Sequence, residues 1–287
     1  MADASSNPEF RSALPEPVAD HSLKSELPIP DPVAAASAPI IVFENVSISF
    51  GDHAVLQDVS FSVDRGQTLC ILGRSGVGKS VALRILMGFL KPDSGLVQVE
   101  GREITDLTED GMQEIRKRVT MVFQNGALFD SLSVRENVAF PLRERGSLDE
   151  DQIQQIVDRL IRMVGAEDVE EALPASLSTG RRRAVAMARA LAAQPEVVLY
   201  DEPTTGLDPI VADSINRLIR RLQRRLGITS IVVTHDMKSA FHVADHVAYL
   251  YDGRVYFRGT PEALRASTDP LIHDFIEGRS RELSSDD

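Results

Sequence analysis

The sequence is short of cysteine and of long apolar runs. Its one cysteine, Cys70, lies inside the apolar stretch at residues 68–72. A single thiol cannot form an internal disulfide, which favours a reducing compartment and a role for Cys70 as a small core residue. No stretch approaches the roughly 18 consecutive apolar residues of a membrane-spanning helix. If the protein works at a membrane, a partner must therefore provide the crossing.

Positive charge is also in short supply, since the formal net charge is −12. Proteins that bind nucleic acids in general need clustered positive charge to displace counterions from the phosphates. We therefore expect no nucleic-acid partner. A nucleotide needs only one local positive pocket, so the charge balance permits it as a ligand.

Composition divides the chain into three parts. Residues 1–38 are rich in Pro, Ala and Ser without apolar periodicity, which predicts a disordered tail, and residues 279–287 resemble them. Residues 39–278 are predicted to form one domain. Within it, strands alternate with helices except at about 126–193, where the pattern indicates successive helices and no strand. The sequence thus predicts an α/β domain with a mostly parallel sheet and a helical insert.

The apolar patterns place individual elements along this domain. Strands are expected at residues 40–43, 59–63, 68–72, 96–99, 119–123, 197–200, 228–233 and 246–251. Helices are expected at residues 78–90, 108–116, 151–164, 181–193 and 209–226. On the last helix five arginines lie away from the apolar stripe, which predicts a solvated face: Arg217, Arg220, Arg221, Arg224 and Arg225.

A glycine-rich segment follows the buried strand at residues 68–72. Residues 73–80 fit the pattern G-x-x-x-x-G-K-S, with a strand before and a helix after. The glycines let the backbone wrap around phosphates, and the N–H groups at the start of the helix attract them. Lys79 is expected to contact the β- and γ-phosphates, and the Ser80 hydroxyl to ligate Mg²⁺. The predicted phosphate-binding residues are Gly73, Arg74, Ser75, Gly76, Val77, Gly78, Lys79, Ser80 and Val81.

This loop alone does not distinguish a kinase from an ATPase or a GTPase. The strand at residues 197–200 ends in Asp201 and Glu202, and adjacent strand residues point in opposite directions, so the carboxylates can have separate tasks. Asp201 is expected to hold the Mg²⁺ shell through water, and Glu202 to polarise the attacking water. His235 follows the strand at residues 228–233 and is expected to reach the γ-phosphate. Together these residues indicate ATP hydrolysis.

With its motifs in this order, the chain from about residue 40 resembles the nucleotide-binding subunit of an ABC transporter. Gln124 matches the glutamine loop, residues 177–181 occupy the signature position and Asp208 matches the D-loop. His235 matches the switch histidine, and Phe50 the aromatic position that stacks on adenine. The resemblance implies a P-loop ATPase core with an antiparallel β subdomain. It also implies that Gln124 contacts Mg²⁺ and contributes to catalysis, as do Lys79, Glu202 and His235.

The family pattern further implies partners. Two subunits pair head to tail, and each ATP lies between residues 73–80 of one chain and Ser178, Thr179 and Gly180 of the other. The helical insert carries the resulting motion to integral-membrane permease subunits. This implies a peripheral position on the cytoplasmic face of the bacterial inner membrane.

The signature departs from the usual pattern at two positions. Thr179 replaces a glycine, and Arg181 stands where glutamine or methionine is usual. We expect Thr179 to add a β-branched side chain to a tight turn. Arg181, with Arg182 and Arg183, is expected to add positive charge near the bound phosphates.

Residues 123–130, 134–143, 259–264 and 269–278 look like the Mla/MCE-type ATPases, which energise phospholipid traffic between the bacterial inner and outer membranes. This implies a membrane-anchored MCE-type lipid-binding protein as a further partner. Amino-acid importers share part of the stretch, so an importer of small solutes is the alternative. A soluble ABC ATPase acting on DNA or ribosomes is disfavoured by the acidic charge and by the lack of a long coiled-coil insert or a second cassette.

Overall fold

The structure, a computed structural model, describes residues 38–279, so the two predicted tails fall outside the described residues except for their boundary positions. The strands are β1 (Ile41–Phe50), β2 (His53–Val63), β3 (Thr68–Leu72), β4 (Ser94–Val99), β5 (Arg102–Glu103), β6 (Val119–Val122), β7 (Val197–Asp201), β8 (Thr229–Thr234), β9 (His246–Tyr251) and β10 (Arg254–Gly259). The helices are α1 (Lys79–Leu86), α2 (Glu109–Arg116), α3 (Val134–Arg145), α4 (Glu150–Val164), α5 (Thr179–Ala192), α6 (Pro209–Leu226), α7 (Met237–Val243), α8 (Pro261–Arg265) and α9 (Pro270–Ile276).

The strands form two sheets. The antiparallel sheet has the order β2-β1-β4-β5, and the larger sheet has the order β10-β9-β3-β8-β7-β6. In the larger sheet β9, β3, β8, β7 and β6 run parallel, and β10 pairs antiparallel with β9. The predicted α/β class, with a mostly parallel sheet and an antiparallel subdomain, is therefore confirmed.

The two strands predicted at residues 40–43 and 59–63 are the far ends of one long hairpin, β1–β2. Sequence periodicity misses the middle because the register of this pair shifts several times. Asn45 and Asp58 take positive φ values of 49° and 51° near these shifts. Each irregularity interrupts the alternation of buried and exposed side chains on which a strand prediction depends.

Alternation along the buried strands divides the core into two apolar clusters. Leu69 and Ile71 of β3 pack on the side of the antiparallel sheet and α1. Cys70 and Leu72 face the other cluster, which includes the buried faces of α3 to α7. Burial raises the pKa of the Cys70 thiol, which keeps it protonated and supports its predicted role as a small core residue.

The parallel register brings three strand ends to one edge of the large sheet. Leu72 of β3 pairs with Thr234 of β8, and Asp201 of β7 pairs with Val233. The segments that follow these strands therefore leave the sheet side by side. This edge is where ligands bind in open parallel sheets.

Between residues 126 and 193 the described chain forms α3, α4, α5 and two short 3-10 helices at Glu167–Val169 and Pro174–Ser176. The sequence prediction did not resolve α3, which contains Pro141. A capping box at Ser133 and Glu136 begins this helix. The side chain of Asn137, on its first turn, is fully buried.

Helix α6 corrects the prediction of a uniformly solvated arginine face. Arg217 is exposed and pairs with Asp213 one turn away. Arg220 instead ion-pairs with Asp245 at 2.7 Å and donates to the Val243 carbonyl at 3.3 Å, because the connection from α7 to β9 packs against it. Among the residues that the structure describes, no helix combines the length and apolarity needed to span a bilayer.

Asn137 is expected to hold the segment that precedes α3. Its Nδ2 donates to the carbonyls of Phe129, Leu132 and Ser133 at 3.0 to 3.1 Å. Its Oδ1 accepts from the Phe129 N–H at 2.8 Å. Asn137→Ala leaves these groups unpaired and should lower the free energy of unfolding by about 2–4 kcal/mol, measured by chemical denaturation.

Gln155→Ala, at an exposed site on α4, is the matched control and should change the free energy of unfolding by less than about 0.5 kcal/mol. Equal stability of the two variants would show that Asn137 does not anchor this segment.

Candidate functional site

The glycine-rich loop at residues 73–78 joins the end of β3 to the start of α1. Gly78 precedes α1 with a φ of 105°, a conformation that favours glycine. A Cβ there would lie 2.5 Å from Leu56 Cδ2 and 3.0 Å from the Val55 carbonyl of β2. Glycine is therefore required both by the turn and by the close approach of the antiparallel subdomain. The N–H groups of Val81 and Ala82 donate to the Gly78 carbonyl at 3.0 and 3.1 Å, which leaves those of Lys79 and Ser80, at the start of α1, for a ligand.

Lys79, the first residue of α1, extends its side chain into this loop and is 5% exposed. Its Nζ donates to the carbonyls of Gly73 and Arg74 at 2.8 and 3.1 Å. It also lies 3.4 Å from Oε1 of Glu202. The buried ammonium, next to the positive end of α1, makes a local pocket for anionic oxygens in an acidic chain.

Ser80 and Asp201 connect α1 to the end of β7. The Ser80 hydroxyl donates to Oδ1 of Asp201 at 2.8 Å. A hydroxyl and a carboxylate in contact are oxygen donors of the kind that Mg²⁺ takes alongside phosphates and water. Within residues 38–279, no group of three or more His, Cys, Asp or Glu side chains could hold a metal ion. The donor set thus fits a Mg²⁺ that takes most of its ligands from a bound nucleotide and water.

Glu202 is held at both carboxylate oxygens. Oε1 faces Lys79, while Oε2 accepts from the Thr205 hydroxyl at 3.0 Å and lies 3.0 Å from Nδ1 of His235. Glu202 has a φ of 47° and follows the last residue of β7. Its direction therefore comes from this left-handed backbone, and not from strand alternation with Asp201 as the sequence suggested. A carboxylate fixed in this way can orient a water molecule beside the phosphate loop.

Thr205 is a contact that sequence reasoning missed. Its only sequence signal is a position three residues after Glu202, where a turn returns the hydroxyl to the carboxylate. His235 is about half exposed. His235 is thus the more exposed partner of the carboxylate, and Lys79 the more buried one.

Three further predicted site residues, Phe50, Gln124 and Asp208, lie outside the cluster formed by Lys79, Ser80, Asp201, Glu202 and His235. Phe50 ends β1 with half of its surface exposed, opposite His53 at the hairpin tip. Gln124 follows β6 and is exposed. Asp208 caps α6, accepting from the N–H groups of Ile210 and Val211 at 3.1 Å.

The signature residues lie at the start of α5, and no hydrogen bond or ion pair of the described residues joins Ser178, Thr179 or Gly180 to Lys79 or Glu202. Ser178 is the N-cap of α5, and its hydroxyl accepts from the Arg181 N–H at 3.4 Å.

One expectation for the signature is wrong. Thr179 is the first residue of α5 and does not lie in a tight turn, so a β-branched side chain is accommodated there. Gly180 is the position without room, because a Cβ would lie 2.5 Å from Val211 Cγ1 of α6.

The three arginines that follow lie in different environments, and their effect on bound phosphates stays a prediction. Arg181 ion-pairs with Asp168 at 2.6 Å, and this hydrogen bond lowers the pKa of the Asp168 carboxyl. Arg182 is partly exposed and donates to the Thr179 hydroxyl at 3.3 Å. Arg183 is buried, and burial together with the charge of Arg182 lowers the pKa of its guanidinium.

Three features together define an ATP-binding cassette. They are a phosphate loop after the central parallel strand β3, carboxylates at the end of β7 two strands away, and a separate helical subdomain. The chain belongs to the ABC transporter family, whose model matches residues 56–205. It is an ABC ATPase, as the order of its motifs predicted.

Relatives cover most of the chain. The intermembrane phospholipid transport system ATP-binding protein MlaF of Haemophilus influenzae is 38% identical over 241 residues, which are 84% of this chain and 91% of that protein. The methionine import ATP-binding protein MetN of Brucella abortus is 41% identical over 225 residues, which are 78% of this chain and 61% of that protein.

Solved structures agree on the fold. The ATP-binding cassette MJ0796, a dimer in a post-hydrolysis state bound to ADP and Pi, superposes with a TM-score of 0.70 at 31% identity. The match covers 77% of this chain and 98% of that one. The predicted ABC ATPase architecture is confirmed.

The contact between α5 and α6 predicts the effect of substituting Gly180. Gly180→Ala should lower the free energy of unfolding by about 1–3 kcal/mol, because the added methyl overlaps Val211. Val211→Ala in the same chain should restore most of the loss. Thr179→Gly, one residue earlier in the same helical turn, should cost less than about 1 kcal/mol. Chemical denaturation measures all three, and failure of Val211→Ala to restore stability would contradict this packing.

Proposed function

We propose that residues 73–80 and Asp201 hold Mg²⁺-bound ATP and that Glu202 orients the attacking water. The observation that carries this proposal is the fixation of the Glu202 carboxylate between Lys79, Thr205 and His235. Ser80 and Asp201 supply the protein oxygens for Mg²⁺, which would neutralise charge on the phosphates. Gln124, which follows the neighbouring strand β6, would complete the ligand shell of Mg²⁺. Phe50 stacks on the adenine.

We further propose that the working unit is a homodimer. Among the described residues of one chain, Ser178, Thr179 and Gly180 make no hydrogen bond or ion pair with Lys79 or Glu202. We infer that they instead meet the phosphate loop of a second copy, with Asp208 at the junction. The description of MJ0796 as a dimer supports this arrangement. ATP bound between two copies favours the closed state by making contacts to both.

For the transported substrate we propose phospholipid. The match to MlaF of Haemophilus influenzae covers 91% of that protein and 84% of this chain. The partners are then integral-membrane permease subunits and a membrane-anchored MCE-type lipid-binding protein, with the ATPase peripheral on the cytoplasmic face of the inner membrane. Import of a small solute such as an amino acid is the second candidate, favoured by the 41% identity to MetN.

Glu202→Gln tests the catalytic assignment. The amide keeps the shape of the side chain but cannot accept a proton, so kcat for ATP hydrolysis should fall at least about 100-fold. ATP binding measured by calorimetry should persist, and a closed dimer should accumulate on size exclusion with Mg²⁺ and ATP. Undiminished steady-state hydrolysis would exclude Glu202 from this role.

Two control variants show whether the effect of Glu202→Gln is specific to catalysis. Lys79→Ala should lose nucleotide binding itself, because it removes the ammonium at the centre of the loop. Glu262→Gln changes an exposed carboxylate of α8 in the same way and should leave hydrolysis unchanged.

The substrate proposal is tested by isolating the complex. The tagged chain is extracted from its native membranes in mild detergent, and its partners and bound lipids are identified by mass spectrometry. We expect a multi-span permease, a membrane-anchored lipid-binding protein and phospholipid. A soluble substrate-binding protein without bound lipid would instead support the solute importer, and recovery with ribosomes or DNA would contradict both.

A further inference from the structure

Arg183 makes a contact that the site described above does not use. It lies on the second turn of α5 and is 4% exposed. Its Nη1 donates to the Phe123 carbonyl and its Nη2 to the Thr205 carbonyl, each at 3.3 Å. Its buried Nε has no hydrogen-bond partner among the described residues. In the part of the chain that the structure describes, no carboxylate forms an ion pair with Arg183.

Both acceptors adjoin residues of the proposed catalytic site. Phe123 directly precedes Gln124, and Thr205 holds Oε2 of Glu202 through its hydroxyl. A single guanidinium thus joins the signature helix, the Gln124 segment and the segment after Glu202. We propose that Arg183 is a positioning residue that couples the Gln124 segment to the Glu202 carboxylate through Thr205. This inference rests on the catalytic role proposed for Glu202.

The chemistry of arginine explains why this contact couples the two segments. A guanidinium is planar and rigid, so its two Nη groups cannot move independently. If the Gln124 segment shifts, Arg183 must either follow it and move Thr205 or lose an acceptor. Losing an acceptor is costly for a buried cation that already has an unpaired N–H. The two segments therefore tend to move together.

The other arginines of α5 do not make this connection. Arg189 is also partly buried, but it donates to the carbonyls of Gly126 and Ala127 and to no residue after Glu202. Arg181 and Arg182 contact Asp168 and Thr179 respectively. Within this fully described helix, only Arg183 reaches both segments.

Arg183→Met in the full chain tests the proposal, because methionine fills similar space without donors. We expect kcat for ATP hydrolysis to fall about 10- to 100-fold, while KM for ATP and the Kd for Mg²⁺-bound ATPγS stay within about twofold. Arg183→Lys keeps the charge but has one nitrogen, so it should restore less than half of the lost rate. Full activity of Arg183→Lys, or an unchanged kcat in Arg183→Met, would overturn the proposal.

A double-mutant cycle with Thr205→Val tests the route to Glu202. If Arg183 acts through Thr205, adding Arg183→Met to Thr205→Val should lower kcat by no more than about twofold. If the decreases in kcat caused by the two single substitutions multiply in the double variant, the proposal is overturned. If Arg183→Met is unfolded by thermal denaturation, the same cycle is run with Arg183→Lys.

Two further variants separate the possible explanations. Arg145→Met removes an exposed arginine of α3 whose hydrogen bond, to the Lys117 carbonyl at 3.0 Å, involves neither segment, and it should leave kcat unchanged. If kcat falls as far in Arg145→Met as in Arg183→Met, the loss is general and the proposal fails. If Glu202→Gln stops hydrolysis while Arg183→Met does not slow it, only the coupling role is wrong. If Glu202→Gln hydrolyses normally, the proposed function fails instead.

Discussion

The parallel register of β3, β8 and β7 is the constraint on which the rest of the structure depends. Leu72, Thr234 and Asp201 reach the same edge, so the phosphate loop, His235 and Glu202 leave the sheet as neighbours. A shift of one residue would move a strand's buried side chains to the other face. The two apolar clusters on opposite faces of the sheet therefore hold the site geometry as well as the fold.

The cationic side chains of the site and of α5 are stabilised by acceptors close to them. The chain is acidic overall, yet its phosphate loop holds a buried ammonium beside a helix N-terminus. The Lys79 ammonium donates to two loop carbonyls and lies close to the Glu202 carboxylate. The oxygens of a bound polyphosphate would compete with these groups for the ammonium. Helix α5 shows the same local pairing, because Arg181 forms an ion pair with Asp168 and Arg183 donates to two carbonyls. Sequence alone shows three adjacent positive charges, while the structure shows three different environments.

The sequence predicted those parts of the fold and site that depend on local patterns. Strand β3 with the loop after it, β7 with its terminal carboxylate and α6 were predicted within a residue or two, because each carries its own periodicity or motif. The middle of the β1–β2 hairpin was missed, since irregular register hides the alternation of side chains. The contacts of Thr205 and Arg220 were missed because their partners belong to turns or connections that periodicity does not describe.

By itself the sequence determined the family, the α/β class and the set of residues that could bind a nucleotide, because glycine spacing and strand-end carboxylates are local requirements of that chemistry. Only the tertiary structure decided which atoms meet. It places Thr179 in a helix and not in a turn, makes Gly180 necessary through Val211, and buries Arg183 between two loops. These outcomes depend on packing between elements distant in the chain, and packing is set by the whole fold.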